Sequence, residues 1–164
     1  MDPTPDELAG VVDLFGALTR TELQEGLAEL AYKRGDEYDT DAFEGTIEEA
    51  RQSYHLVAVE AEVVGDTADR APEEDLLVVG PLAFPELPEG ATDLPHILDV
   101  PDRDVGRETA ARAAETQFRE ETARAVAAED VDRLQTLLDV SYELEAWGQV
   151  DLSATRKTLD EELS

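Results

Sequence analysis

The stretch from Leu76 to Pro101, LLVVGPLAFPELPEGATDLPHILDVP, limits what this chain can fold into more than any other. Five of its residues are proline (Pro81, Pro85, Pro88, Pro95 and Pro101), and it contains no Lys or Arg. Each proline fixes φ at about −65°, withdraws a backbone donor and restricts the residue before it. The segment opens as an apolar strand and turns into a stiff, extended loop carrying Phe84, Leu87, Leu94, Ile97 and Leu98. It then hands over to a long charged helix. Helix-rich sequence flanks it on both sides, so it reads as a brace between two helical halves. Its apolar residues are either core or the wall of a groove.

Charge decides the setting. The 164 residues include 41 acidic and 13 basic ones, a net charge of −28. Such an excess is the usual mark of disorder, but the apolar residues recur with clear period, which confines disorder to the termini and the loop over 62–75. Only Lys33 and Lys157 are lysines, the other basic residues being arginines, and acids are scattered over every helix. At molar salt the Debye length falls to about 3 Å, so a charge of this size hardly repels itself. In dilute buffer the same repulsion destabilises the compact state. This pattern points to the cytoplasm of a halophilic archaeon. The alternative is an acidic mesophilic protein with a basic partner.

The chain has no cysteine, which excludes disulfides and thiolate metal sites. MDPTPDELAG has neither the basic region nor the apolar core of a signal peptide. No uncharged apolar run approaches the ~20 residues that span a bilayer. A soluble, cytoplasmic protein without membrane contact is the expectation.

The hydrophobic periods predict a mainly α (α+β) chain. Pro5 to Ala17 reads as a first helix, with Thr4 as N-cap and Glu7 at the capping-box position. Thr19 to Glu22 is a second capping box, opening a helix through Arg34 that Gly35 ends. A third helix runs from Asp41 to about Tyr54, with Phe43, Ile47, Ala50 and Tyr54 facing inward. His55 to Val64 and Leu76 to Gly80 are β-formers and predict a hairpin with a long polar tip. After the proline segment, a helix from Asp102 or Asp104 to about Ala128 carries three acid-first i,i+4 pairs: Glu108 with Arg112, Glu115 with Arg119, and Glu120 with Arg124. Val131 to Trp147, stopped by Gly148, and Ser153 to Leu163 are the last two helices. The organisation is 1–82 as an N-terminal unit, 83–101 as the brace and 102–164 as a helical C-terminal half.

Three helices followed by a two-stranded hairpin resembles a winged-helix unit over Asp6 to Leu82, with Leu18-Thr19-Arg20-Thr21-Glu22-Leu23 at the entry to the second helix. As a whole, the chain is similar to small, acidic, uncharacterised haloarchaeal proteins that pair a winged-helix-like start with a segment of the VGP-aromatic-P…LPHILDV type. That resemblance implies a lineage and a cytoplasmic setting, and no reaction.

The winged-helix resemblance would place the third helix in the major groove of DNA, with Arg20, Lys33, Arg34, Arg51 and Arg70 as contacts. Phosphates supply most DNA affinity, yet the outward positions of that helix are Glu44, Glu48, Glu49, Arg51 and Gln52. Nucleic acid is therefore disfavoured, and a solvated acidic face is the simpler reading. A DNA-binding regulator requires a positive patch around those five cations. Asp36, Glu37, Asp39 and Asp41 cluster near a turn but lack the glycine and terminal Glu of a calcium loop. Gly10, Gly16, Gly26 and Gly45 are isolated within helices, so there is no phosphate loop, and no cofactor is called for. His55 begins a strand. His96 lies in the stiff brace, and an enzyme would need a pocket converging on it. Phe84, Leu87, His96 and Trp147 are candidates for an interaction surface, while for Trp147, Tyr142 and Phe118 a place in the core is the stronger reading and a partner surface the alternative. The leading reading is a non-enzymatic interaction or regulatory protein with a protein partner or self-association.

Overall fold

In the computed structural model the described residues are 2–60, 74–101, 103 and 105–164. The N-terminal part runs α1 (Pro5–Phe15), β1 (Leu18–Thr19), α2 (Arg20–Arg34), α3 (Thr40–Gln52), β2 (Leu56–Val59) and β3 (Leu76–Val79). A 3-10 turn (Ala91–Asp93) and a one-turn helix α4 (Leu94–Ile97) follow. Three helices close the chain: α5 (Arg107–Ala128), α6 (Val131–Gly148) and α7 (Ser153–Leu163). The mainly α (α+β) class is as the hydrophobic periods predict.

Both capping boxes form. Thr4 accepts from the Glu7 N–H at 3.1 Å while Glu7 accepts from the Thr4 N–H at 3.1 Å. Thr19 and Glu22 repeat this at 3.1 and 2.8 Å. Each box satisfies two donors that a helix start leaves open. α1 ends two residues earlier than its apolar pattern suggests, because Gly16 takes φ 84° and caps it. α3 ends at Gln52, since Tyr54 adopts φ 63° and turns the chain into β2. Gly148 is the last residue of α6, and the left-handed residue that terminates it is Gln149 at φ 55°. The start of α5 is Arg107, after Gly106 as N-cap; Asp102 and Asp104 lie outside the described residues.

The expected hairpin is the larger part of a three-stranded antiparallel sheet ordered β1-β3-β2. β1 pairs Leu18 with Leu77 and Thr19 with Leu76, and β2 pairs Leu56 through Val59 with Val79 through Leu76. Strand side chains alternate between faces, and here both faces are covered. Leu18, Leu56 and Leu77 join Leu8, Val12, Leu23, Leu27, Phe43 and Ile47 in a core with α1, α2 and α3. Val57, Val59, Leu76 and Val78 join Phe118, Leu134, Leu137, Leu144 and Leu159 in a second core with α5, α6 and α7. At roughly 1.5–3 kcal/mol per buried large aliphatic side chain, the strand leucines and valines all contribute to one core or the other. The sheet is the shared floor of the N- and C-terminal helices.

The proline segment packs mainly on the N-terminal unit, with Leu82 near its start against the C-terminal core. Its middle runs along α1 and α2. A Cβ at Gly10 would stand 1.9 Å from the Glu86 carbonyl oxygen, so backbone presses directly on α1. Ala91 and Leu94 are buried in the N-terminal core, and Leu94 and Leu98 reach Gly26 of α2. Its far end is held by Arg103, whose guanidinium grips both Glu22 oxygens at 2.5 and 3.1 Å. The segment is a strap over the helical side of the N-terminal unit.

Candidate functional site

The outward face of α3 is acidic, and its cations are already engaged. Arg20 donates to Glu44 at 2.5 Å and to Glu48 at 3.2 Å. Arg51 donates to Glu48 at 2.5 Å and to Gln117 of α5 at 3.1 Å. Hydrogen bonding by Arg51 holds the Glu48 carboxyl below its usual range against the opposing effect of burial, with Arg20 adding to it. Lys33 lies 3.4 Å from Asp93, and Arg34 donates to the Glu89 carbonyl at 3.0 Å, so both fasten the strap to the end of α2. Of the four described cations that a DNA reader would use, Arg20 and Arg51 meet on Glu48 of α3 while Lys33 and Arg34 sit at the end of α2, and Arg70 lies outside the described residues.

The strap presents the opposite chemistry. Phe84 is 80% exposed, Leu87 52% and Ile97 42%. Asp6 of α1 holds this part of the strap: its Oδ1 accepts from the Phe84 N–H at 3.0 Å, and its carbonyl accepts from the Glu86 N–H at 3.0 Å. Phe84 therefore projects from backbone anchored on both sides of Pro85. Tyr32 and Tyr38 are also exposed, and with Leu98, Ala28, Glu25 and Glu29 they line a shallow cleft of about 470 Å³ between α2 and the end of the strap. Trp147 belongs elsewhere. It is half-buried against the C-terminal core, with the Arg107 guanidinium 4.7 Å from its ring centre. Phe118 is fully buried.

The two histidines stand in different surroundings. His96 is exposed on α4, and its side chain makes no hydrogen bond or ion pair among the described residues. His55 has Ser53 Oγ 2.7 Å from Nδ1 and Asp6 Oδ1 3.6 Å from Nε2, which brings Ser, His and Asp side chains together. The Ser53 oxygen also lies 3.1 Å from the Ala50 carbonyl, a second acceptor for its one proton, and the direction of the Ser53–His55 bond follows the imidazole tautomer. A nucleophile activated by a base requires the hydroxyl to donate to the imidazole, and here the Ala50 carbonyl competes for that proton. The trio closes the end of α3 onto α1. Asp39 serves as N-cap of α3, accepting from the Asp41 N–H at 2.9 Å. Among the described residues no three acidic or histidine side chains converge in a metal-holding cluster.

The densest polar junction lies where α3, α5 and α6 meet, and the sequence reading missed it. Tyr54 is fully buried, and its hydroxyl donates to Glu121 Oε2 at 2.9 Å. Burial, with the neighbouring Glu121 carboxylate, pushes the Tyr54 phenol far above its ordinary range. Arg133 donates to the same Glu121 oxygen and to the Gln52 carbonyl, and Gln117 donates to Glu121 Oε1 at 3.1 Å. A largely covered carboxylate is thus satisfied by three donors, as withdrawal of charge from water requires. Tyr54 read as an inward apolar residue, and Arg124 read as the partner of Glu120. Two of the three expected i,i+4 pairs form, Glu108–Arg112 and Glu115–Arg119; Arg124 makes no ion pair among the described residues.

Among the described residues no helix is long and apolar enough to cross a membrane. No curated protein and no solved structure matches this chain. A family described only as of unknown function matches residues 6–164, nearly the whole length, and the chain belongs to that family, DUF7109.

Proposed function

We propose that this is a non-enzymatic interaction or regulatory protein of a halophile's cytoplasm, in which a winged-helix-like scaffold serves protein contact through its strap. The observation that carries this reading is Phe84, an aromatic side chain 80% exposed on backbone anchored by Asp6. Aromatic groups are enriched in the buried centre of protein interfaces, and a pre-organised one loses little conformational freedom on docking. The acidic face of α3 supports the same reading, because a polyanion would meet like charge there.

The test is a pull-down with the tagged chain at molar KCl, with and without nuclease, beside the F84A/L87A variant. A stoichiometric protein that survives nuclease and is lost in the variant is the expected result. Recovery of DNA, or of partners that nuclease removes, would overturn the proposal. So would a chain that stays monomeric and captures nothing.

A further inference from the structure

We infer that the cleft at the junction of α3, α5 and α6 binds a small multivalent oxyanion, a phosphate or carboxylate group, between Arg51, Arg124 and Arg133. The cleft holds about 390 Å³ and is lined by these three arginines with Gln52, Glu121 and Asp130. Three cations face two anions there, in a chain with 13 basic and 41 acidic residues. That local inversion of charge is the first argument. A volume of this size suits a small ligand, within the roughly 300–1,000 Å³ of ordinary binding clefts.

The second argument is the state of the anions. Glu121 is neutralised from within by Tyr54, Gln117 and Arg133, and Asp130 is turned to its own helix, where it accepts from the Arg133 N–H at 3.2 Å. Glu121 takes its cation from the cleft, Arg133, and Asp130 is met by a backbone N–H, so Arg124 is the lining arginine that no protein carboxylate engages among the described residues. The third argument is the donors left over. Arg133 uses only Nη2 toward protein, so its Nε and Nη1 have no acceptor among the described residues. Arg124 has no protein partner at any nitrogen among the described residues. Arg51 is fixed in place by Glu48 and Gln117. Arginine presents its N–H groups as a planar fork that matches carboxylate and phosphate oxygens. The left-handed backbone of Tyr54 lies at the same junction, and strained residues concentrate where a site is held in shape.

This site is independent of the strap. Isothermal titration at molar KCl, using inorganic phosphate and citrate separately, tests it on the full chain. Saturable one-to-one binding of at least one probe is expected, weakened about tenfold or more in R124A by loss of a charged donor set. Arg112, exposed and paired with Glu108, is the control, and R112A should match the wild type. Arg124 is exposed and supports no fold contact, so R124A keeps its helical circular dichroism. Binding of phosphate alone identifies a phosphorylated ligand and binding of citrate alone an organic acid, and either supports the site. Absence of saturable binding by both probes, or equal binding by wild type and R124A, would overturn it.

Discussion

Tyr54 concentrates at one residue what holds the two cores together. It terminates α3 in left-handed geometry, its carbonyl accepts from the Leu82 N–H at 3.1 Å, and its ring meets Phe118 edge-on at 6.5 Å. Its hydroxyl serves the buried Glu121. Tyr54→Phe keeps the ring and removes that donor, so it should cost about 1.5–2 kcal/mol, the lower part of the range for a bond to a charged group, because Arg133 and Gln117 remain. Urea denaturation at neutral pH measures it. A second consequence appears in alkali. The folded phenol is held well above the ordinary tyrosine value of about 10. Above that pH the unfolded chain releases the proton while the folded chain keeps it, so the stabilising contribution is present below about pH 10 and lost as pH rises. Wild type should lose stability there by up to ~1.4 kcal/mol per pH unit relative to Tyr54→Phe. Parallel stability curves for the two proteins would show that the phenol is not so constrained.

At the scale of elements, the strap is the piece whose position the sequence conceals. Gly10→Ala would gain about 1 kcal/mol of helix propensity in α1 were the helix free. The Glu86 carbonyl stands 1.9 Å from where that methyl would be, and overpacking against backbone costs about 1–3 kcal/mol or more. The variant should therefore melt lower and be cut faster by protease within the strap; a higher melting point would mean the strap is not pressed on α1. Arg103 anchors the other end. Its side chain is 9% exposed and that of Glu22 is 17%. Burial raises the Glu22 carboxyl, but Arg103 and the Thr19 N–H outweigh it and hold the carboxyl below its usual range. Arg103→Gln should cost about 3 kcal/mol at neutral pH by stranding that carboxylate. A depressed folded pKa gives stability that is present above about pH 4.3 and lost as pH falls through the lower folded value. Variant and wild type should converge in acid, and a gap that persists there would assign the cost to packing. The caps of α1 and α2 were legible because their chemistry is local, three residues apart. β1 was not, since Leu18 and Thr19 are a strand only by pairing with Leu77 and Leu76 far along the chain. The unbroken apolar run Leu76–Val79 is the mark of a strand buried on both faces, a consequence that the hairpin expectation left undrawn. The partners of the cations were hidden for a related reason. Arg20 and Arg133 pair with carboxylates on other helices, and Arg51 reaches Gln117 besides Glu48 three residues before it, cross-helix contacts that helical spacing cannot show.

For the whole molecule the deciding quantity is the net charge of −28. Among the described residues most cations are already in ion pairs, so the excess carboxylates have salt water as their only source of counter-charge. Two opposing effects follow when KCl is raised. Exposed pairs such as Arg112–Glu108 weaken, each by no more than the ~0.2–1 kcal/mol it is worth. The repulsion among like charges weakens too. A pair of unit charges about 20 Å apart repels by ~0.2 kcal/mol in water without salt, and a net charge of this size implies hundreds of such pairs. At a Debye length of about 10 Å, in 0.1 M salt, most of that repulsion survives only at shorter range, and at the ~3 Å of molar salt it is nearly gone. The unfolded chain carries the same charge at larger separation, so relief of repulsion favours the compact state. The arginine-to-carboxylate contacts that fasten the strap and join the two cores are partly buried, and salt screens them least. Stability should therefore rise steeply as KCl goes from millimolar to molar, with the helical circular dichroism signal and the urea midpoint increasing together. A signal flat across that range would mean that the acidic surface is not a salt adaptation, and a basic partner in dilute cytoplasm would then be the reason for it.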